Sequence, residues 1–119
     1  MDIQTKVPWE DRPWGRFYTV YHTPHIWVKT LIINPRSELS LQFHDHREEH
    51  WSVTETGLSA NIGSEYMILY PGHSYHVGFK VLHRILNLTH EPKILTEVAW
   101  GDPDENDITR LQDRYGRVQ

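Results

Sequence analysis

The sequence contains no cysteine. This absence excludes disulfides, thiolate metal ligands and a cysteine nucleophile, so any metal site must use nitrogen and oxygen ligands. It also agrees with a reducing compartment, and we expect the protein to be cytoplasmic.

Long apolar runs and basic clusters are absent as well. No run approaches the ~20 apolar residues of a membrane-spanning helix, and residues 1–14 lack the apolar core of a signal peptide. The formal net charge is −4, and the arginines do not form a run. We therefore expect neither a membrane nor a nucleic acid as a partner.

The chain of 119 residues is long enough for one hydrophobic core and too short for two. We expect a single domain over residues 1–119, with residues 1–14 as an N-terminal arm. Trp9 and Trp14 are candidates to dock this arm onto the body of the domain.

Short segments rich in aromatic and β-branched residues follow one another, separated by turn residues such as Asn34-Pro35 and Pro71-Gly72. This pattern predicts an all-β sandwich or barrel. One short helix is predicted near the C-terminus, at Asn106–Tyr115. The predicted strands are a histidine-rich segment beginning at Leu39 and residues 16–22, 25–34, 50–56, 58–62, 65–70, 74–77, 83–89 and 93–100.

Nine histidines are the unusual feature of the composition, and three of them, His44, His46 and His50, lie within Leu39–Trp51. On a strand, His44 and His46 point to the same face, so both can reach one metal ion inside a barrel. His50 can join them if the chain bends at a bulge or re-enters on a neighbouring strand. His83 can supply a fourth imidazole. Such ligands suit zinc, iron, manganese, nickel or copper rather than calcium or magnesium.

Two stretches match the motifs of the cupin superfamily. The first motif is present as His44-x-His46-x3-His50-x6-Gly57, with histidine where the motif has glutamate. The second is present as Gly72-x5-Gly78-x-Lys80-x2-His83-x3-Asn87. The chain therefore resembles the cupins.

A narrower resemblance rests on four strings that occur in order along the chain. The chain is similar to the cupin domain of type II mannose-6-phosphate isomerases, which is often fused behind a mannose-1-phosphate guanylyltransferase. At 119 residues we expect no guanylyltransferase domain here. The strings are Arg12-Pro13-Trp14-Gly15, Leu39 to Trp51, His83-Arg84…Asn87, and the tail from Asn106-Asp107-Ile108 to Tyr115-Gly116-Arg117.

The resemblance implies a fold and a metal. The fold would be a cupin double-stranded β-helix, a jelly-roll barrel, with a short C-terminal helix, and the protein would be a homodimer. One divalent metal ion, zinc first and otherwise iron, manganese or nickel, would be held by His44, His46, His50 and His83. Glu49 is the alternative to His50, because strand alternation forbids both from pointing inward without a bulge.

The resemblance also implies an activity, the interconversion of mannose 6-phosphate and fructose 6-phosphate through an enediol. Glu49 and Glu97 are the candidate proton carriers, and burial would raise the pKa of Glu97 toward that of a useful base. The candidate substrate-binding residues are Gln42, Arg47, His76, Lys80 and Arg84, of which the three cations could bind the phosphate.

Two alternatives stay open. Gly78-Phe79-Lys80 stands where the family has Pro-x-Gly, at a loop by the mouth of the barrel. Together with the expected absence of a partner domain, this loop favours a metal-binding cupin that binds or senses a sugar and catalyses nothing. A metal-dependent dioxygenase is the third hypothesis, since cupin ligand sets also permit that chemistry.

Overall fold

The computed structural model describes residues 8–117, and within that range the regular structure consists of strands. The segments predicted as strands alternate between inward and outward side chains, which is why they pair into sheets that enclose a core. The strands are β1 (Trp9–Arg12), β2 (Gly15–His22), β3 (Ile26–Ile33), β4 (Ser37–Glu38), β5 (Leu41–Phe43), β6 (Arg47–Val53), β7 (Leu58–Ile62), β8 (Glu65–Ile68), β9 (Ser74–Val77), β10 (His83–Asn87), β11 (Lys93–Gly101) and β12 (Thr109–Gln112).

The strands form two antiparallel sheets. One has the order β1-β2-β3-β11-β6-β9 and the other the order β12-β5-β10-β7-β8, with β4 also paired to β10. The chain crosses repeatedly from one sheet to the other, as a jelly roll requires. The predicted all-β jelly roll is confirmed.

The inner face of the first sheet changes from apolar to charged along its central strands. On β11, Leu95 pairs with Leu31 and Val53, whereas the next inward residue, Glu97, pairs with Lys29. All of these side chains are buried. One end of the interior is therefore a hydrocarbon core, and the other end carries buried charges that need partners.

The predicted helix at Asn106–Tyr115 is wrong. Residues 109–112 form β12, which pairs with β5, and Leu111 is 48% exposed rather than inward. The carboxylate of Asp107 accepts the backbone N–H groups of Asp45 and His46 at 3.0 and 2.8 Å. Pairing with β5 and these side-chain contacts outweigh the weak helical signal, because polar residues such as Asp and Asn favour turns over helix interiors.

The predicted arm is partly within the described residues. Trp9 lies on β1 and packs edge-on against Tyr18, with ring centroids 4.4 Å apart, and Trp14 is buried in the core. Both indoles are therefore used within the chain, while residues 1–7 lie outside the described range. The homodimer stays a prediction, and a monomer mass by light scattering would contradict it. Within residues 8–117 there is no helix long and apolar enough to cross a membrane.

Asn87, the last residue of β10, connects the end of β3 with the loop between β10 and β11. Its side chain is fully buried, and its Nδ2 donates to the carbonyl oxygens of Ile33, Asn34 and Glu91 at 2.8–3.1 Å. Its Oδ1 accepts the backbone N–H and the hydroxyl of Thr89. Every polar atom of this amide has a partner, which marks Asn87 as a structural residue.

We expect Asn87→Asp to lower the free energy of unfolding by about 3 kcal/mol, because the isosteric carboxylate cannot donate and leaves buried carbonyls unpaired. Urea denaturation measures the change. Asn61→Asp is the matched control, because Asn61 is half-buried and accepts a single side-chain hydrogen bond from Arg84; its effect should stay within about 1 kcal/mol. Equal losses in the two variants would contradict the assignment.

Candidate active site

The histidine-rich segment is interrupted by a turn. Strand β5 ends at Phe43 and β6 begins at Arg47. His44, in the turn, is buried, and its Nδ1 lies 2.7 Å from the backbone oxygen of Asp107. Because a carbonyl oxygen only accepts, Nδ1 carries a proton and Nε2 is directed to the interior.

His83, the first residue of β10, is oriented in the same way. Its Nδ1 donates to the backbone oxygen of Val81 at 2.9 Å, so Nε2 faces the interior. That nitrogen is buried and has no hydrogen-bond partner among the described residues. The imidazole of His83 lies against that of His44, with ring centroids 5.1 Å apart. Burial lowers the pKa of His83 and keeps it neutral.

Glu49 faces both imidazoles from the inner side of β6. Its Oε2 lies 3.0 Å from Nε2 of His44, and its Oε1 lies 3.6 Å from Nε2 of His83. Trp51 Nε1 donates to Oε1 at 3.0 Å. Burial alone would raise the pKa of Glu49, but His83, Arg47 and His44 outweigh it and hold the pKa well below its usual value. Glu49 is therefore a buried carboxylate anion.

Arg47 supplies the opposite charge. Its guanidinium donates to Glu49 Oε2 through Nε at 3.1 Å, and its Nη2 lies 2.9 Å from the same oxygen. The same Nη2 donates to Nε2 of His44 at 2.9 Å. Arg47 thus neutralises the carboxylate and also engages the lone pair of one imidazole.

A second buried carboxylate, Glu97, lies beside this group on β11. Burial and the neighbouring charge of Glu49 raise the pKa of Glu97 to about 8, against the opposing effect of Lys29. The ammonium of Lys29 lies over the ring of Trp27, 3.8 Å from its centroid. Burial lowers the pKa of Lys29. A buried carboxylate of raised pKa and a cation are therefore cross-strand neighbours in the interior.

Arg47, Glu97 and Lys29 line a cavity. Gln42 also lines it, and its Oε1 accepts the hydroxyl of Ser40 at 2.7 Å. The charged residues of the wall are Arg12, Lys29, Arg47, Glu97, Glu105, Arg110 and Arg117.

The structure does not bring His46 and His50 to this cavity. His46 is exposed in the turn between β5 and β6. His50 lies on the outer face of β6, paired across the strands with Val98 and His76. Strand alternation explains this placement, because Glu49 points inward and its neighbour must point outward.

Three predicted substrate residues also lie elsewhere. His76 is exposed, stacks on Trp100 and hydrogen-bonds Glu48 at 2.9 Å. Lys80 is exposed in the turn after β9, where its φ is +61°. Arg84 follows inward-facing His83 and so points outward, where it pairs with Glu38 at 3.2 Å. Of the predicted substrate residues, Gln42 and Arg47 line the cavity.

A family model described as "Mannose-6-phosphate isomerase C-terminal" matches residues 4–113. The chain belongs to this family.

Two curated relatives are longer proteins that contain a region similar to this mannose-6-phosphate isomerase C-terminal domain. The "Xanthan biosynthesis protein XanB" of Xanthomonas campestris pv. campestris is 36% identical over 108 residues, which are 90% of this chain and 23% of that protein. The "Mannose-1-phosphate guanylyltransferase ManC" of Salmonella typhimurium is 34% identical over 108 residues, 90% of this chain and 22% of that protein. The chain thus spans less than a quarter of each relative.

A solved structure places this mannose-6-phosphate isomerase C-terminal domain among the cupins by fold. An RmlC-like cupin from Shewanella frigidimarina superposes with a TM-score of 0.76 at 16% identity, covering 89% of this chain and 93% of that one. The cupin double-stranded β-helix predicted from the sequence is confirmed.

The buried cluster of this domain fits a divalent metal ion. One ligand atom each from His44, Glu49 and His83 lies within 4.8 Å of the others. Both imidazoles present Nε2 while Nδ1 is held by a backbone oxygen, which is the usual arrangement of metal-ligating histidines. The unpartnered Nε2 of His83 is a buried polar atom that a metal would satisfy. Two nitrogens and a carboxylate suit zinc and its neighbours in the first transition series.

Several cavity residues were missed from the sequence. The signal for Lys29 was present, because Trp27, Lys29 and Leu31 share the inner face of a strand that is otherwise apolar. Arg12 and Arg117 belong to the sequence strings on which the family resemblance rests. No role in the site was predicted for either residue. Arg110 was hidden by the wrong helix prediction.

Proposed function

We propose that this domain is a metal-dependent isomerase that interconverts mannose 6-phosphate and fructose 6-phosphate. The observation that supports this most is the position of Glu97, a buried carboxylate in a cation-lined cavity beside the metal-competent cluster His44, Glu49 and His83. A sugar isomerase needs a proton carrier and an electrophile side by side, and membership of the family agrees with this requirement.

The reaction moves one proton from C2 to C1 of the open-chain sugar and a second proton from the C2 hydroxyl to the C1 oxygen. A divalent metal, when bound by the cluster, would polarise the substrate carbonyl. Glu97 would take the proton from C2 and return it to C1. Lys29 would keep the Glu97 carboxylate in place and balance the negative charge that the sugar oxygens acquire. The buried walls formed by Phe17 and Leu31 would limit access of water to the enediol.

A non-catalytic sugar-binding cupin is the second candidate, and the Arg47 contact favours it. Nε2 of His44 accepts a hydrogen bond from Arg47 at 2.9 Å, so the guanidinium must release this lone pair before His44 can coordinate a metal. A domain that kept this hydrogen bond would hold an anionic sugar on Arg47 without catalysis.

The decisive experiment is exchange of the C2 proton of mannose 6-phosphate in deuterated water, followed by NMR. We expect the metal-loaded protein to incorporate deuterium and to form fructose 6-phosphate, and the chelator-treated protein to do neither. Absence of exchange with stoichiometric zinc, manganese, iron or nickel would reject the isomerase and leave the binding domain. Oxygen uptake by the iron-loaded protein would instead support the dioxygenase.

A further inference from the structure

The cavity is strongly cationic although the chain is acidic. Five cationic side chains line it, and two carboxylates, Glu97 and Glu105, lie among them. The whole chain has a formal net charge of −4. Such a local excess of positive charge is unfavourable unless an anion or nearby carboxylates compensate for it, and it favours binding of anions. An anion would bind best where the cations have the fewest partners within the chain.

Arg12 and Arg117 are held in place by carboxylates. Arg12 contacts Glu105 through Nη2 and lies over the ring of Phe17, 4.9 Å from its centroid. Arg117 donates to Asp113 through Nε at 2.7 Å and through Nη2 at 3.3 Å. Each contact fixes the plane of a guanidinium and leaves further N–H groups unused, which is a preorganised arrangement for an oxyanion.

Arg110 is the least satisfied of the three. Its position on β12 is fixed by pairing with Gln42 of β5, so it lies at the wall of the cavity. Its Nε is buried without a hydrogen-bond partner among residues 8–117. Within the same range, no carboxylate lies within the 4.0 Å limit of a salt bridge to it. A buried unpaired donor on a cation is costly, and an anion would remove that cost.

We propose that Arg12, Arg110 and Arg117 form a subsite for the phosphate group of a phosphorylated ligand. This assignment rests on the proposed function for the identity of the ligand as a sugar phosphate. The three guanidiniums come from β1, from β12 and from the turn after β12, so folding alone brings them to one place. The planar N–H forks match the oxygens of a phosphate monoester dianion.

The same cavity wall continues from these arginines to Arg47 and Glu97. A sugar phosphate held by the arginines would therefore extend its other end toward the His44, Glu49 and His83 cluster. This placement replaces Lys80 and Arg84, two of the three cations expected from the sequence, which lie outside the cavity lining.

The test is calorimetric titration with inorganic phosphate, without turnover. We expect Arg110→Met, which keeps much of the side-chain volume and removes the charge, to weaken phosphate binding by about 10- to 100-fold, the range for one charged hydrogen-bonding group. Arg84→Met is the matched control on the outer face, and its phosphate affinity should stay within about twofold of wild type. Thermal unfolding of both variants checks that they fold.

A second measurement keeps the test independent of folding defects. Arg110→Lys keeps a charge but loses the fork, so its affinity should lie between those of wild type and Arg110→Met. Affinity equal to wild type in Arg110→Met, or no phosphate binding by wild type, would overturn the subsite. If wild type binds phosphate through Arg110 but exchanges no C2 proton, the phosphate subsite is supported and the isomerase is rejected. If wild type exchanges the proton and Arg110→Met has an unchanged KM, the isomerase is supported and the phosphate subsite is rejected.

Discussion

His83→Ala should abolish stoichiometric binding of a divalent metal, whereas His46→Ala should retain it. Both histidines belong to cupin motifs, but His83 is buried with an unpartnered Nε2 and His46 is exposed in a turn. Removing a residue that only supports a ligand already costs roughly 10- to 100-fold in metal affinity, so loss of a ligand should exceed about 100-fold.

Metal content measured by elemental analysis, together with the affinity for zinc from a competition titration, provides the readout. His50→Ala is a second control, because His50 lies on the outer face of β6 beside Trp100. Thermal unfolding without metal shows whether His83→Ala still folds, and Glu49→Gln tests the same cluster without creating a cavity. Loss of metal in His46→Ala or His50→Ala, with retention in His83→Ala, would restore the ligand set implied by the motifs.

The contrast between His83 and His46 shows which metal ligands motif spacing can predict and which it cannot. Spacing identifies His44 and His46 as a pair only if a strand continues through both of them. The strand ends at Phe43, because the backbone N–H groups of Asp45 and His46 bond to Asp107, which is far away in sequence. No local pattern in the histidine-rich segment contains this contact.

Strand existence was more predictable than strand neighbours. Turn residues beside β7 and β9 predicted their observed bounds, Leu58–Ile62 and Ser74–Val77, because turn signals are local. Glu97 was predicted as a proton carrier on the last long strand, and it is buried there. The partner of Glu97 could not be predicted, because its pairing with Lys29 depends on the register of β11 against β3.

The positions of the three cavity arginines could not be predicted from the sequence either, because they too depend on the tertiary fold. Arg12 and Arg117 are separated by nearly the whole described chain, and Arg110 reaches the cavity because β12 pairs with β5. In a polar segment, the sequence does not indicate whether a long charged side chain points into a cavity or into solvent. Such side chains are usually solvated. Only the tertiary fold distinguishes them from Arg84, which is equally polar and pairs with Glu38 outside the cavity.

Glu97→Gln should lower kcat for isomerisation of mannose 6-phosphate by about 100- to 10,000-fold, the usual effect of removing a general base. The amide keeps the size of the side chain but cannot accept the C2 proton. Metal content should be unchanged, since Glu97 is outside the cluster of His44, Glu49 and His83. The KM should change little, because the phosphate subsite is left intact.

Glu48→Gln provides the matched control, because Glu48 lies on the outer side of β6 and pairs with His76. Its rate should stay within about twofold of wild type. Exchange of the C2 proton with deuterated water isolates proton abstraction from the later steps, and it should fall in Glu97→Gln by the same factor as kcat. If Glu97→Gln keeps the wild-type exchange rate while holding stoichiometric metal, another group carries the proton. Glu49 would not be a simple substitute, because its low pKa and its contacts with both imidazoles suit a metal ligand better than a base.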